Sequence, residues 1–360
     1  MSDDKVACGR KQPIRAPICH EWRSARGSKR VFCLMLSVVA FAMAGCGGGG
    51  GGGTSFISKG LWIANASGNT VIEYMQKQRK TSGSPAPALI NSSADLNFSA
   101  GLAFDNSRNM WVANGGAPSI TEFSLSQLKS LSTTPAPTAA VTITSAGFSN
   151  ILNLVFDSSG NLWVSDTNNS ALYQFTPSQL ATGGNLVPAV TITSADLNGP
   201  RNMEFDNAGN LRAAKINNST IVEFTKSQLS ASGSPAAAVV LSDDGSGSIS
   251  DPRGLLFTRT GDMWVANFGN STLVQFSASQ IAATGNPTPP IIITSPDADS
   301  PEQLAFDYSG NLWFANFGND TVVSFTPSQL TASGSPAANV VITGSDLDGP
   351  EEIAFGPNLK

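Results

Sequence analysis

From about residue 55 onward, apolar and polar positions alternate in short runs, and none is long enough for a helix with one buried face. Stretches such as TVVSF (321–325) return their apolar residues at period two, the spacing of a half-buried strand. These runs are rich in Val, Ile, Phe and Trp. Gly, Asn, Asp and Ser clusters separate them, and SSGN, NAGN and YSGN read as tight hairpin turns.

The pattern repeats. GLAFDNSRNMWVANGGAPSITEFSLSQL (101–128) shares one template with segments 153–180, 202–229, 254–281 and 303–330, and a copy lacking its first strand spans 60–78. One template position falls at Trp62, Trp111, Trp163, Arg212, Trp264 and Trp313, with spacings of 49, 52, 49, 52 and 49. Five of the six tryptophans therefore occupy one place in the repeat, which points to packing between repeats rather than to a ligand.

Each unit predicts four strands: LAFD, LWVAN, TVVSF and a β-branched strand such as AVTIT or NVVIT. Between the third and fourth lies TPSQL. Thr176/Gln179 and Thr326/Gln329 have capping-box spacing, and Pro177 and Pro327 stand at the first helical position. One short helix per repeat is expected, ended by the Gly and Pro of SGSP. Four strands every 50 residues or so make an all-β, six-bladed β-propeller over 55–360. The first copy lacks LAFD and the chain closes on EEIAF (351–355), so the C-terminal strand should complete the first blade and close the ring.

Composition narrows the chemistry. Charged residues make up 13% of the chain, with 35 Gly and 21 Pro, as suits an exported β-rich protein. Residues 1–46 hold eight Lys/Arg against Asp3, Asp4 and Glu21, leaving 13 basic and 23 acidic residues in 47–360. So acidic a body repels phosphate backbones and argues against nucleic acid as a partner. Cys8, Cys19, Cys33, Cys46 and the single histidine, His20, all precede residue 47. The body thus has no group for Ser-His-Asp or Cys-His catalysis, thiolate zinc or an imidazole metal site.

The leader has its own grammar. Lys29-Arg30, the apolar run VFCLMLSVVAFAMA and Gly45-Cys46 describe a signal peptide, in a run too short to span a bilayer comfortably. AMAGC resembles a bacterial lipobox, which implies that Cys46 is lipidated and becomes the first residue of the mature protein. Gly47–Gly53 follow directly, so 47–54 is expected to act as a tether. Gly47 in place of Asp resembles lipoproteins sorted to an outer membrane. The protein is expected in the cell envelope, attached to the membrane by its lipid, as a monomer.

The unit P-x-x-LAFD-x-x-GNLWVAN-x-x-N-x-TVV-x-F resembles NHL repeats and, more loosely, gluconolactonase-like and streptogramin-lyase-like propellers. In those families function lies at the central mouth of one face. Here that rule implies a ring of Ala100, Leu152, Arg201, Arg253, Glu302 and Glu351. Behind it come Gly101, Asn153, Asn202, Gly254, Gln303 and Glu352, and the loops add Asn267, Asn316, Phe268 and Phe317. Streptogramin-type lyases rely on a catalytic histidine, which the body lacks.

Three uses of the mouth stay open. The gluconolactonase resemblance implies an oxygen-ligand site for Ca²⁺ or another divalent cation, drawn from Glu351, Glu352, Asn153, Asn202 and Glu302, in a lactonase-type hydrolase. Arg201 and Arg253 facing Glu302 and Glu351 make a salt-bridged collar the simpler outcome. Third, Arg201, Arg253, Glu302, Glu351, Phe268, Phe317, Asn267 and Asn316 line a mouth for a protein, carbohydrate or small polar ligand. The fourth full-position repeat stands apart, with Arg212 for Trp and Lys215 for Asn or Asp. The Asp residues of the FD turns read as structural.

Overall fold

The computed structural model describes residues 60–131 and 136–356, together with the short antiparallel strands His20–Arg23 and Lys29–Phe32. Cys46 and the tether at 47–54 lie outside the described residues. From Gly60 the chain forms six antiparallel sheets, each built on four strands. In the third blade these are Ile151–Phe156, Leu162–Asp166, Ala171–Phe175 and Val190–Thr193, ordered from axis to rim. The inner strands of the others are Ser99–Phe104, Pro200–Phe205, Pro252–Phe257, Pro301–Phe306 and Pro350–Gly356.

The last of these closes the ring as expected. Pro350–Gly356 pairs with Gly60–Asn65, with Ile353 opposite Ile63 and Phe355 opposite Leu61. A cation–π contact, unforeseen in the sequence, covers this seam: buried Arg79 lies 4.9 Å from the Phe355 ring and 5.6 Å from that of Trp313.

Each tryptophan of the repeat wedges between its own blade and the next. Trp163 packs with Met203, Leu211 and Phe224, and Trp264 with Leu304, Leu312 and Phe314. The turn Asp residues have a second job besides binding their own hairpins. Asp105, Asp157 and Asp307 accept the indole N–H of Trp111, Trp163 and Trp313 at 3.1, 3.3 and 3.0 Å. In the first blade Gly356 replaces that Asp, and Trp62 Nε1 is buried without a partner.

The fourth blade breaks the rule at a cost. Arg212 is 3% exposed, bonds to Glu223 and donates to the Ile281 carbonyl at 2.7 Å, while its Nε and Nη1 have no partner. Restoring the repeat should help. Asp206 stands ready for an indole, and Trp111 sits opposite Glu122 as a tryptophan at 212 would sit opposite Glu223. Arg212→Trp combined with Glu223→Gln, the residue type that faces Trp163 and Trp264 at Gln174 and Gln275, is therefore expected to stabilise the protein by about 1–3 kcal/mol, because replacing both partners of a buried ion pair is often favourable. Thermal unfolding of the variant reads it. A lower melting temperature would show that the site no longer accepts an indole.

The TPSQL segments depart from one helix per repeat. Leu125–Lys129 and Pro177–Thr182 are α-helical, Gln76–Arg79, Gln228–Ser230 and Pro327–Leu330 are single 3₁₀ turns, and the fifth blade has only a turn. What repeats is the glutamine. Gln179 accepts the Thr176 N–H at 2.9 Å and donates to the Val187 carbonyl at 2.8 Å, and Gln329 does the same with Thr326 and Ala337. With both ends of the loop clamped by one side chain, the turn between them needs no continuous helix.

SGSP does more than end that turn. Gly233, Gly285, Gly334 and Gly83 each bridge to the outer strand of the preceding blade, at Ile192, Leu241, Ile293 and Ile342. Ser232, Ser333 and Ser82 accept the N–H groups of Thr191, Ile292 and Val341 at 3.0, 2.9 and 3.0 Å. Each linker thus covers a strand edge that would otherwise invite pairing with another chain.

Candidate functional site at the central mouth

The inner strands reach the axis through a repeated irregularity. The second strand runs in regular register, but the inner strand skips at its mouth end: between Ile151 and Asn153, Pro200 and Met203, Pro252 and Gly254, Pro301 and Leu304, and Pro350 and Glu352. A bulge of this kind re-aims side chains. The skipped residues include Leu152, Arg201, Arg253, Glu302 and Glu351, the ring expected from the sequence.

The four charged members meet. Arg201 reaches Glu302 at 3.2 Å and Glu351, in the blade diametrically opposite, at 3.0 Å. Arg253 contacts Glu302 at 2.5 Å and Asp251 at 3.3 Å. Glu302, 3% exposed, is the hub holding both guanidiniums. Burial works against the Arg201 charge, but Glu302 and Glu351 outweigh it and hold its pKa above the ordinary arginine value. Burial raises the Glu302 carboxyl to about 7, against the pull of the Arg201 and Arg253 guanidiniums and with a further push from Glu351. The salt-bridged collar exists, and it spans the neck of the channel.

Beneath the collar the polar groups serve one another. Asn153 donates to Glu352 at 2.9 Å while its Oδ1 accepts the Met203 N–H at 3.0 Å, and Asn202 Oδ1 accepts the Leu255 N–H at 3.1 Å. Burial raises the Glu352 carboxyl well above the usual range, the Asn153 and Gln303 amides pull it back, and Glu204 and Glu302 push it further. Glu204, lining the channel, is pushed up to about 8 by burial. Sequence reasoning missed Glu204, although an acid standing where other repeats carry Ala, Val or Leu was the available signal.

This arrangement does not fit the divalent-cation site that gluconolactonase resemblance implied. The amide oxygens of Asn153 and Asn202 already accept backbone N–H groups. Glu302 and Glu351 face guanidiniums, which repel a cation. Among the described residues no three acidic, His or Cys side chains cluster as a metal site.

Asn267 and Asn316 belong to the scaffold, a correction to their place in the mouth. Both are 0% exposed. Asn267 accepts the Ser250 N–H at 3.0 Å and donates to the Ser248 carbonyl and Thr272; Asn316 holds Asp299, Asp297 and Thr321 in the same way. An asparagine ending the second strand staples the loop that enters the inner strand of its own blade, so its amide faces backbone and not a ligand.

Phe268 and Phe317 do lie at the mouth, half-buried on neighbouring blades with ring centres 6.3 Å apart. The Arg253 guanidinium lies 3.3 Å from the centre of the Phe268 ring. Arg253 Nε and Asp251 Oδ1 have no hydrogen-bond partner. Asp251 itself adopts a left-handed backbone, with φ at 45°, a conformation costly for a residue with a Cβ. One sector of the mouth thus joins two tilted rings to a guanidinium and a carboxylate, each with one buried atom left unbonded.

Comparison with known proteins agrees at the level of fold. No protein-family model and no curated protein matches the chain. A solved nidogen/laminin complex aligns over 82% of this chain and 97% of its own, with a TM-score of 0.57 and 14% identity. The WD40 β-propeller domain of Doa1 aligns over 83% and 86%, with 0.52 and 10%. A catalytically inactive virginiamycin B lyase from Staphylococcus aureus, solved with quinupristin, aligns over 77% and 84%, with 0.50 and 12%. The chain is a six-bladed β-propeller, of the architecture shared by NHL-repeat and gluconolactonase-like proteins.

Proposed function

We propose that this protein is an exported, lipid-anchored propeller that binds a protein, glycan or small polar ligand at its mouth. The observation that carries this reading is the sector of Phe268, Phe317, Arg253 and Asp251, where two tilted, half-buried rings adjoin a guanidinium and a carboxylate. Such a mixture of aromatic shelf and oriented polar groups suits a ligand with both an apolar face and hydrogen-bonding edges. The anchor is supported by AMAGC and the glycine run after it.

A panel of oligosaccharides and envelope proteins, tested against the purified full chain, examines this directly. At least one member should bind, and Phe317→Ala should weaken it roughly tenfold or more, as loss of an aromatic anchor does, with thermal unfolding unchanged. A panel with no binder, or a variant that binds as well as the parent, defeats the reading. Lipid labelling that persists in Cys46→Ser defeats the anchor.

A further inference from the structure

The charges of the described ring are sorted by face. The exposed basic side chains among the described residues are Lys77, Lys80, Arg108, Lys129, Lys226 and Arg259. All stand at the end opposite the mouth. Arg108 and Arg259 sit in hairpins between first and second strands, and the lysines in turns after third strands. The two groups of turns are neighbours, since the Lys226 N–H donates to the hairpin residue Asn210 at 3.1 Å.

The mouth loops show the reverse. They carry eleven Asp against one lysine, the buried Lys215, and include Asp320 and Asp348, the two carboxylates classed as exposed among the described residues. The collar does not shift this balance, having two Arg and two Glu. On the far face Asp105, Asp157, Asp206, Asp262 and Asp307 are half-buried and tied into turns, while the longer Lys and Arg side chains are the exposed groups. Strands of five to six residues hold the faces roughly 17–20 Å apart, about twice the Debye length of 8–10 Å at physiological salt. A charged surface brought to one face therefore senses little of the other.

The chain joins the ring on the basic face. Gly60 pairs with Gly356 at one end of a strand whose other end, Asn65, pairs with Pro350 at the mouth. Only residues 47–59 separate Gly60 from Cys46, a reach of at most about 50 Å even fully extended.

We infer that the face opposite the mouth docks on an anionic phospholipid surface and holds the mouth turned away from the membrane. The inference rests on the reading of Cys46 as lipidated, which brings that surface within reach; charge complementarity selects the face. The acidic mouth is repelled by the same lipids.

Lysine accessibility tests it on the processed full-length protein inserted in vesicles of phosphatidylglycerol or of phosphatidylcholine. A membrane-impermeant amine reagent should label Lys77, Lys80, Lys129 and Lys226 at least roughly tenfold more slowly on phosphatidylglycerol. The lysine introduced by Asp320→Lys, on the mouth side, should label equally on both. Equal labelling of the four lysines on the two vesicles, or protection of the mouth-side lysine instead, overturns the docking surface. Attachment unchanged by Cys46→Ser refutes the lipid anchor alone, and the labelling contrast still decides which face meets the lipid.

Discussion

A chain ending before Pro350 should show no cooperative unfolding transition, and adding a peptide of residues 345–360 should restore one. The strand Pro350–Gly356 is the innermost of the first blade, so its loss bares the backbone edge of Gly60–Asn65 to the channel. It also removes buried Ile353 and the Phe355 ring under Arg79. Burial of two large apolar side chains contributes about 1.5–3 kcal/mol each. A ladder of backbone hydrogen bonds adds about 1 kcal/mol apiece. Together these approach the 5–15 kcal/mol by which a typical domain is stable. Calorimetry of the truncated chain, with and without the peptide, measures the effect. A sharp transition without it would mean that five complete blades hold together unclosed.

That closure could be read from the sequence because it depends on strand counting alone. One copy lacks LAFD, one copy of LAFD follows the last repeat, and a ring reconciles them. The Trp spacing and the Thr-x-x-Gln boxes were legible for a related reason: each is a local pattern with one physical meaning. The bulges were not, since one skipped residue leaves no mark in a short apolar strand. Nor was the destination of Asn267 and Asn316. An asparagine at a strand end can face a ligand or staple a loop, and only the fold shows the Ser250 and Asp299 N–H groups waiting for it. Gly233 and its counterparts looked like turn breakers because the strand edge they cover belongs to another blade.

The collar lay between these cases. Two Arg and two Glu on one ring made ion pairs foreseeable, but not their connectivity. Arg201 pairs across the channel as well as with its next-but-one neighbour, since a long side chain at a bulge can cross a narrow axis. Broken symmetry then has consequences for recognition. With the neck spanned by guanidiniums, the proposed ligand would meet the mouth above it, beside the rings of Phe268 and Phe317.

Removing the hub should cost most of what any single mouth substitution can. Glu302→Ala takes a shared carboxylate from two guanidiniums only 12% and 17% exposed, and breaking a buried pair by deleting one partner typically destabilises by about 3–5 kcal/mol. Arg201 keeps Glu351 and Arg253 keeps Asp251, so the lower half of that range is expected. At roughly 2–4 °C per kcal/mol for a large domain, the melting temperature should fall by about 6–15 °C. Glu351→Ala removes one contact and leaves Arg201 its pairing with Glu302, so its effect should be about 1 kcal/mol. Replacing Arg201, Arg253, Glu302 and Glu351 together by Met removes the four charges of the collar at once and should recover most of the loss. The order of the three variants carries the argument. If Glu351→Ala were as damaging as Glu302→Ala, the collar would be a uniform ring of charge and not a network hung on one carboxylate.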